Sequence, residues 1–467
     1  MHNILKLTAF TWVMVFSTSL LAQEKKGTMS MEMVNQIRST FKETQSNKAL
    51  MNAVSNNDIK ELAVNRENEG KVSNLFSNKV TTKGIANQKS SGRCWLFTGL
   101  NILKPMVQEK YKLNEFDFSH TYNFFWDQFE KANLFLEIAI STANKPMDDR
   151  EIEWLFKNPI GDGGQWTTFA DNVQKYGLVP ESAMPDSYQS ENTAMISKLL
   201  SRKLREDGLE IRMIALSKIT EQKKAEAKLN MLVDIYRMLV LSLGEPPQHF
   251  VWQYKDADGK ISQPKSYTPQ EFYNEIIGVN LSDYVMFMND PTREYHQLYE
   301  IQYDRNLVEG GNWKYINLPN EEIKKFAKAS ITAGEAMYFS CDVGKQLNIE
   351  DGTLDVNNYQ YGDLFGVEFG MDKKDRIQTF ESGSSHGMSL VGVNILPDGI
   401  VDKWQLENSW GAEKGDKGYL TMTDAWFDEY MFRIIINKKY VDEKVLKILN
   451  QKPTMLPPWD PMFSPEL

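Results

Sequence analysis

Residues 87–95 read NQKSSGRCW, and this short stretch decides the fold. A cysteine stands at the mouth of an apolar helix, with a glutamine six residues before it. Ser90, Ser91 and Gly92 are turn and helix-start residues, and Trp95, Leu96, Phe97, Leu100, Ile102 and Leu103 supply a buried helical face up to Pro105. Cys94 therefore falls in the first turn of the predicted helix. There the positive end of the macrodipole favours thiolate over thiol, and the thiolate is the form that attacks carbonyls. Arg93 brings a further positive charge, in a direction the sequence does not specify. Gln88 is placed to donate its side-chain amide to the oxyanion such an attack creates. A cysteine taken alone is more often a small core residue, so the reading needs a second site.

That site lies near the other end of the chain. A thiolate nucleophile works with a general base and acid, normally histidine, and a third group that orients the imidazole. Of the five histidines, His386 stands in SSHGMSLVGVN, at the start of the apolar run 388–393. Pro397, Asp398 and Gly399 then signal a turn. Beyond it Ile400, Trp404 and Leu406 share one parity and Lys403, Gln405 and Glu407 the other, the period of a half-buried strand. The two runs predict an antiparallel hairpin. A hairpin centred on Asp398 pairs residues whose numbers sum to 796, and His386 and Asn408 sum to 794. They are expected opposite each other within about a residue of register. Asn408 then accepts from one ring nitrogen and leaves the other for Cys94, and Trp410 in NSWG shields that bond from water.

With these motifs in hand, the chain resembles the bleomycin hydrolase and aminopeptidase C branch of the papain-like cysteine peptidases. NQKSSGRCWLF, HGMSLVGV and ENSWG with the following GDKGY match the motifs around cysteine, histidine and asparagine in chain order. DGGQW at 162–166, KYGLVP at 175–180, FSCDVGK at 339–345 and LPPWDPM at 456–462 point to the branch itself, and the likeness runs from about Ser73 to the end. The resemblance implies Cys94 as nucleophile, His386 as base and acid, Asn408 as orienter and Gln88 as oxyanion-hole donor. It implies a cysteine aminopeptidase acting on peptides, with no metal or organic cofactor. The alternatives are an endopeptidase or a non-catalytic binding or assembly module of the same fold. Where secreted papain-like enzymes begin the motif with a disulfide-bonded cysteine, this chain has Ser91, and Cys341 in the alternating run 336–343 reads as a strand core residue. No structural disulfide is expected.

The fold class that follows is α+β, a papain-like core with a helical half and a barrel-like β half, a large helical insertion and an extended C-terminal tail. The cysteine-to-histidine gap is 292 residues, against about 130 to 150 in papain-like enzymes, so roughly 150 residues are inserted. The expected organisation is a signal peptide over 1–22, an N-terminal arm over 23–72, the nucleophile-bearing half over 73–186, the insertion over 187–320, the β-rich half over 321–450 and the tail over 451–467. Within the insertion, 195–205, 223–243 and 269–279 have helical periodicity; the family resemblance implies a hook that helps assemble a hexamer, and lids or plain packing are equal alternatives that periodicity does not separate. Asn320 with Glu321 and Glu322 reads as a capped helix start, stapled by Leu318. Strands are expected near 336–341, 388–395, 400–406, 418–423 and 432–437. DGGQW leaves two readings open: a turn into a helix over 167–176, or glycines that admit a ligand while Asp162 or Gln165 binds an amine.

Composition bounds the rest. A hydrophobic fraction of 41% with 12% aromatic residues supports large cores, and the net charge of −10 disfavours a general nucleic-acid binder. No phosphate loop or HExxH helix is present, and five scattered histidines make no metal site. Lys6, the apolar stretch 7–22 and the switch to Gln23, Glu24, Lys25 and Lys26 have the shape of a secretory signal peptide. This predicts export, to the periplasm or the exterior, with no membrane attachment once the leader is removed; Leu20 at the third position before the break, where a small residue is usual, leaves uncleaved anchoring as the alternative. In the tail, Pro453, Pro457, Pro458, Pro461 and Pro465 exclude a helix, and Trp459 and Met462 are anchors. The resemblance implies that the tail enters the chain's own cleft and restricts cleavage to free N-termini.

Overall fold

The structure, a computed structural model, describes residues 27–463. The expected leader over 1–22 and the last four residues of the tail lie outside them. Two compact units divide at Leu62. In the first, α1 (Met31–Thr40) is capped by the Ser30 side chain and α2 (Gln45–Asn56) by that of Thr44, and neither buries a residue.

The second unit carries the predicted site. After the short strand β1 (Asn78–Lys79) come α3 (Cys94–Lys110), α4 (His120–Ser141), α5 (Trp166–Tyr176), α6 (Ala194–Leu216) and α7 (Glu221–Leu243). The helix over α3 does not stop at Pro105 but continues to Lys110, with Val107 buried beyond the proline. A proline loses one helical hydrogen bond, and here the packing on both sides of it keeps the axis helical. The insertion is helical only in its first part. Strands β2 (Tyr284–Met288), β3 (Gln297–Ile301) and β4 (Lys314–Asn317) follow and join the main sheet. Their sequences are buried on both faces, VMFM above all, so they lack the alternation that marks a half-exposed strand.

Next come α8 (Asn320–Thr332), β5 (Met337–Cys341), β6 (His386–Ile395), β7 (Val401–Glu407), β8 (Tyr419–Thr423), α9 (Asp424–Tyr430), β9 (Met431–Asn437) and β10 (Thr454–Leu456). The five expected strands of the β half are present within two residues. Asn320 is not the cap of α8: Pro319 holds that position, and the Asn320 amide donates to the Asp428 carbonyl at 3.1 Å. The sheet runs β10-β3-β4-β2-β9-β5-β6-β7-β8 and ends in two short strands, Thr353–Leu354 and Leu347–Asn348, while β1 pairs with β6.

The predicted hairpin forms with the predicted register. Ser389 pairs with Glu407 and Leu390 with Leu406, both summing to 796, and a bulge before Gly392 shifts the next pairs by one. The half-buried reading of β7 does not hold, because Lys403, Gln405 and Glu407 are buried as well. The chain before Cys94 covers that polar face: Lys403 Nζ donates to Ser73 Oγ at 2.9 Å, and Lys79 lies 4.4 Å over the Tyr419 ring. Ile400 lies just outside the strand and is exposed.

Candidate active site

The loop before α3 is tied at several points before the helix starts. Gln88 N donates to Ser409 O at 2.8 Å, and Gln88 Oε1 accepts from Ser409 Oγ at 2.6 Å. One N–H of its amide goes to Ser91 O at 2.7 Å, and a primary amide has a second N–H to give. Gly92 N donates to Asp162 Oδ2 at 2.7 Å, the Trp95 indole donates to Asp162 O at 2.9 Å, and Thr193 Oγ1 donates to the same carboxylate. A Cβ on Gly92 would overlap that carboxylate, so only glycine fits. DGGQW is thus a structural tie as well as a turn. Gln165 caps α5 in a capping box and also donates to Asp304 Oδ1 at 3.2 Å.

Arg93 is fully buried and points away from any role at the surface. It pairs with Asp186 at 3.1 Å, donates from Nε to Ser91 Oγ at 3.1 Å and lies 5.2 Å from the Phe97 ring centroid. Sequence reasoning left its direction open because Asp186 is distant in the chain. Cys94 is the first residue of α3, 7% exposed. In that turn the backbone N–H groups have no acceptor within the helix.

His386 opens β6, 5% exposed, and pairs across the sheet with Cys341. Its Nε2 meets Asn408 Oδ1 at 2.8 Å. An amide oxygen only accepts, so Nε2 carries the proton in the neutral ring and Nδ1 keeps its lone pair. The Trp410 ring stacks on the imidazole, 4.7 Å between centroids and 27° between planes, as the expected shield. Burial pushes His386 down to about 4, and the Asn408 bond opposes that shift. An imidazolium here therefore calls for an anion beside it, which a thiolate supplies.

Glycine brings the two halves together. A Cβ on Gly387 would stand 3.1 Å from Thr98 Oγ1 and 3.7 Å from the Cys94 carbonyl oxygen, so α3 lies directly against the start of β6. Asn87 bridges to Trp410, and Gly411 N donates to Ala86 O at 3.1 Å, which locks the NSWG turn to the NQKSSG loop. The four predicted residues thus come from two motifs that the fold holds edge to edge.

A cavity of about 430 Å³ opens beside this loop, bordered by Gly92, Gly163, Gly164, Ser384, Trp313 and Phe463. The tail reaches it. β10 pairs in parallel with β3, Asp460 pairs with Arg293, the Arg150 guanidinium stacks on Trp459 at 4.8 Å, and Met462 is buried. The Phe463 ring meets Trp313 edge-on at 4.8 Å. The expected anchors are in place, and residues 464–467, which include Glu466, are outside the described part.

Two of the other described histidines have different partners: His120 is stacked on Phe97, and His296 meets Glu322 at 2.6 Å. Among the described residues no group of histidine, cysteine and acid side chains is arranged to hold a metal ion. Cys341 is buried in β5, and neither cysteine is in a disulfide. No helix among the described residues is long and apolar enough to cross a membrane.

Comparison with known proteins agrees with this geometry. Aminopeptidase C of Listeria monocytogenes is 36% identical over 439 residues, covering 93% of this chain and 98% of that protein. Human bleomycin hydrolase is 38% identical over 422 residues, covering 88% and 93%. The crystal structure of PepW from Lactobacillus rhamnosis superposes with a TM-score of 0.91 at 37% identity, covering 94% of this chain and 99% of that one. The profile of the Peptidase C1-like family matches residues 28–463, and the chain belongs to that family of papain-like cysteine peptidases.

Proposed function

We propose that the protein is a cysteine aminopeptidase in which Cys94, His386, Asn408 and Gln88 carry the reaction. The observation that carries this reading is the 2.8 Å bond from His386 to Asn408, at a strand start packed against the helix that begins with Cys94. Relatives named aminopeptidase C, aminopeptidase G and bleomycin hydrolase support the choice of peptide substrates and of trimming from a free N-terminus.

In this mechanism the Cys94 thiol proton passes to His386 Nδ1, and the thiolate sulfur attacks the carbonyl carbon of the substrate's first peptide bond. The carbonyl π electrons move to oxygen, and the second N–H of Gln88 and the Cys94 backbone N–H hold that oxyanion. His386 returns its proton to the leaving nitrogen as the C–N bond breaks. Water then gives a proton to Nδ1 and attacks the thioester carbon, the C–S bond breaks to release the acid, and the Cys94 thiolate takes the proton back from Nδ1. Asn408 keeps the ring in the tautomer and orientation that serve both steps.

The test is mass spectrometry of products from a mixed peptide set. Wild type should release single residues from free N-termini, and Cys94→Ala should release none; internal fragments from N-acetylated peptides would point to an endopeptidase instead. Export and a hexameric assembly belong to the same proposal. Export is supported by the composition of residues 1–26, and N-terminal sequencing of native protein should begin near Gln23; a cytosolic chain starting at Met1 would contradict it. Light scattering of the purified protein checks the assembly.

A further inference from the structure

The cavity beside the nucleophile loop is positive on balance. Lys131, Lys157, Arg305 and Arg433 line it against Asp162 and Asp304. Most of these charges are already engaged. Lys131 pairs with Asp127 at 2.7 Å, Lys157 pairs with Glu153 at 2.7 Å, and Arg305 donates to Asn312. The Asp162 carboxylate holds Gly92 and Thr193, and Asp304 accepts from Gln165.

Arg433 differs from the others. Among the described residues no carboxylate lies within ion-pair distance of it and no hydrogen bond engages its guanidinium; its Nε is buried without a partner. Its Cζ lies 4.5 Å over the centroid of the buried Trp313 ring. Stacking thus fixes the head in place while the N–H edge stays available. The backbone aims it at the catalytic side. Arg433 in β9 is opposite Ser340 in β5, and paired residues of an antiparallel ladder face the same way. Ser340 is also opposite Gly387 in β6, and a Cβ on Gly387 would face Thr98 and the Cys94 carbonyl oxygen, so this face of the sheet looks towards α3. Around the head, Trp313, Met462 and Phe463 form apolar walls. A half-enclosed guanidinium with unmet donors gains most from a carboxylate, whose two oxygens match its fork.

We infer that Arg433 is a specificity-determining residue that receives a substrate carboxylate, so that peptides with glutamate or aspartate as first or second residue are preferred. This inference rests on the aminopeptidase reading and adds a substrate class to it. Asp304 also lines the cavity and partly offsets the charge of Arg433, so the preference depends on the forked hydrogen bonds more than on bare attraction.

The experiment measures kcat/KM of the full chain on peptide pairs identical except for Glu against Gln, at position one in one pair and position two in the other. Wild type should favour Glu in at least one pair, on the order of 10- to 100-fold, the worth of a hydrogen-bonded charge pair. Arg433→Gln should bring that ratio close to one, and Arg433→Lys, which keeps charge without the fork, should give an intermediate value. Each ratio comes from a single preparation, so it does not depend on how much of a variant folds. A wild-type ratio near one in both pairs, or an unchanged ratio in Arg433→Gln, overturns the assignment. The chain's own Glu466 is a second source of a carboxylate: no preference in wild type that emerges in Glu466→Gln would assign Arg433 to the tail and overturn the substrate role. Equal single-residue trimming of Glu and Gln peptides removes only this inference, whereas failure to trim either from a free N-terminus removes the aminopeptidase reading with it.

Discussion

Replacing His120 by phenylalanine is expected to make the protein less sensitive to acid. His120 is the first residue of α4, 6% exposed, and its ring stacks on Phe97 of the nucleophile helix with centroids 3.6 Å apart and planes 11° apart. Its Nε2 has no hydrogen-bond partner. Burial pushes the imidazole down to about 4; Arg93 and Lys104 act in the same direction, and Asp117 and Asp186 oppose it. The unfolded chain accepts a proton near 6.5, so between these values the unfolded state binds more protons than the folded one. The stability that His120 contributes is therefore complete above about pH 6.5 and is lost as pH falls towards 4. Integrating between pH 7 and pH 5 gives a loss of about 2 kcal/mol, rising to about 3 kcal/mol below both values. His386 has the same depressed value and contributes its own loss, but that is shared by wild type and variant and cancels. Phenylalanine preserves the stack on Phe97 and takes up no proton. The assay is denaturant unfolding of wild type and His120→Phe at pH 7 and pH 5. The gap between them should move by about 2 kcal/mol in favour of the variant on acidification. Equal losses in the two proteins would refute the reasoning.

Asn408→Ala should lower kcat/KM by less than Cys94→Ala or His386→Ala, whose losses should reach several orders of magnitude, on the order of 10⁴ to 10⁶ in comparable systems; steady-state kinetics on one dipeptide series checks the ranking. Gly164→Ala places a Cβ 2.7 Å from the Trp95 ring, and overpacking of this kind costs about 1–3 kcal/mol, visible as a lower unfolding midpoint. Glu407 is 1% exposed, and burial raises its pKa against the opposing effects of Lys104 and the Thr82 hydroxyl. Its folded form holds a proton more tightly than the unfolded chain, so stability should fall as pH rises above about 4.5 on its account. Glu407→Gln should remove that fall, and a chemical-denaturation series from pH 5 to pH 8 measures it.

The placement of the candidate site residues was legible because their geometry is local. Cys94 and Gln88 lie within one loop and helix start, and His386 and Asn408 lie on one hairpin whose turn signal fixes the register. Either motif constrains its own residues without knowledge of the rest of the chain. What remained hidden depends on partners far apart. Asp162 holds Gly92 from 70 residues away, and Arg93 turns inward because Asp186 waits 93 residues later. Neither acid stands out in the sequence from any other loop acid. The strands β2, β3 and β4 were missed for a different reason. Their side chains are buried on both faces or nearly so, and a short continuous apolar run has no period to read. The polar parity of β7 misled in the opposite direction, since Lys403, Gln405 and Glu407 face a chain segment rather than water.

That covering segment matters to the chemistry as well as to the fold. Residues 73–92 run from the Ser73 contact with Lys403, through the β1 pairing with β6, to Gln88 and the Cys94 turn. One stretch of chain thereby touches the strand that starts with His386, the strand that ends beside Asn408, and the loop that presents the nucleophile. Gln88 N donates to the Ser409 carbonyl and Gln88 Oε1 accepts from Ser409 Oγ, which fixes Gln88 relative to Asn408 next to Ser409. A site assembled from loose loops would need substrate to align four groups. Here strand pairing and two glycines bring the parts close: a Cβ on Gly92 would overlap the Asp162 carboxylate, and one on Gly387 would press on Thr98. Preorganisation of this kind keeps donors where charge develops, so they need not reorient during the attack. On the proposed mechanism, substrate then has only to fill the adjoining cavity, where Arg433 is the one cationic head among the described lining residues that neither an ion pair nor a hydrogen bond engages.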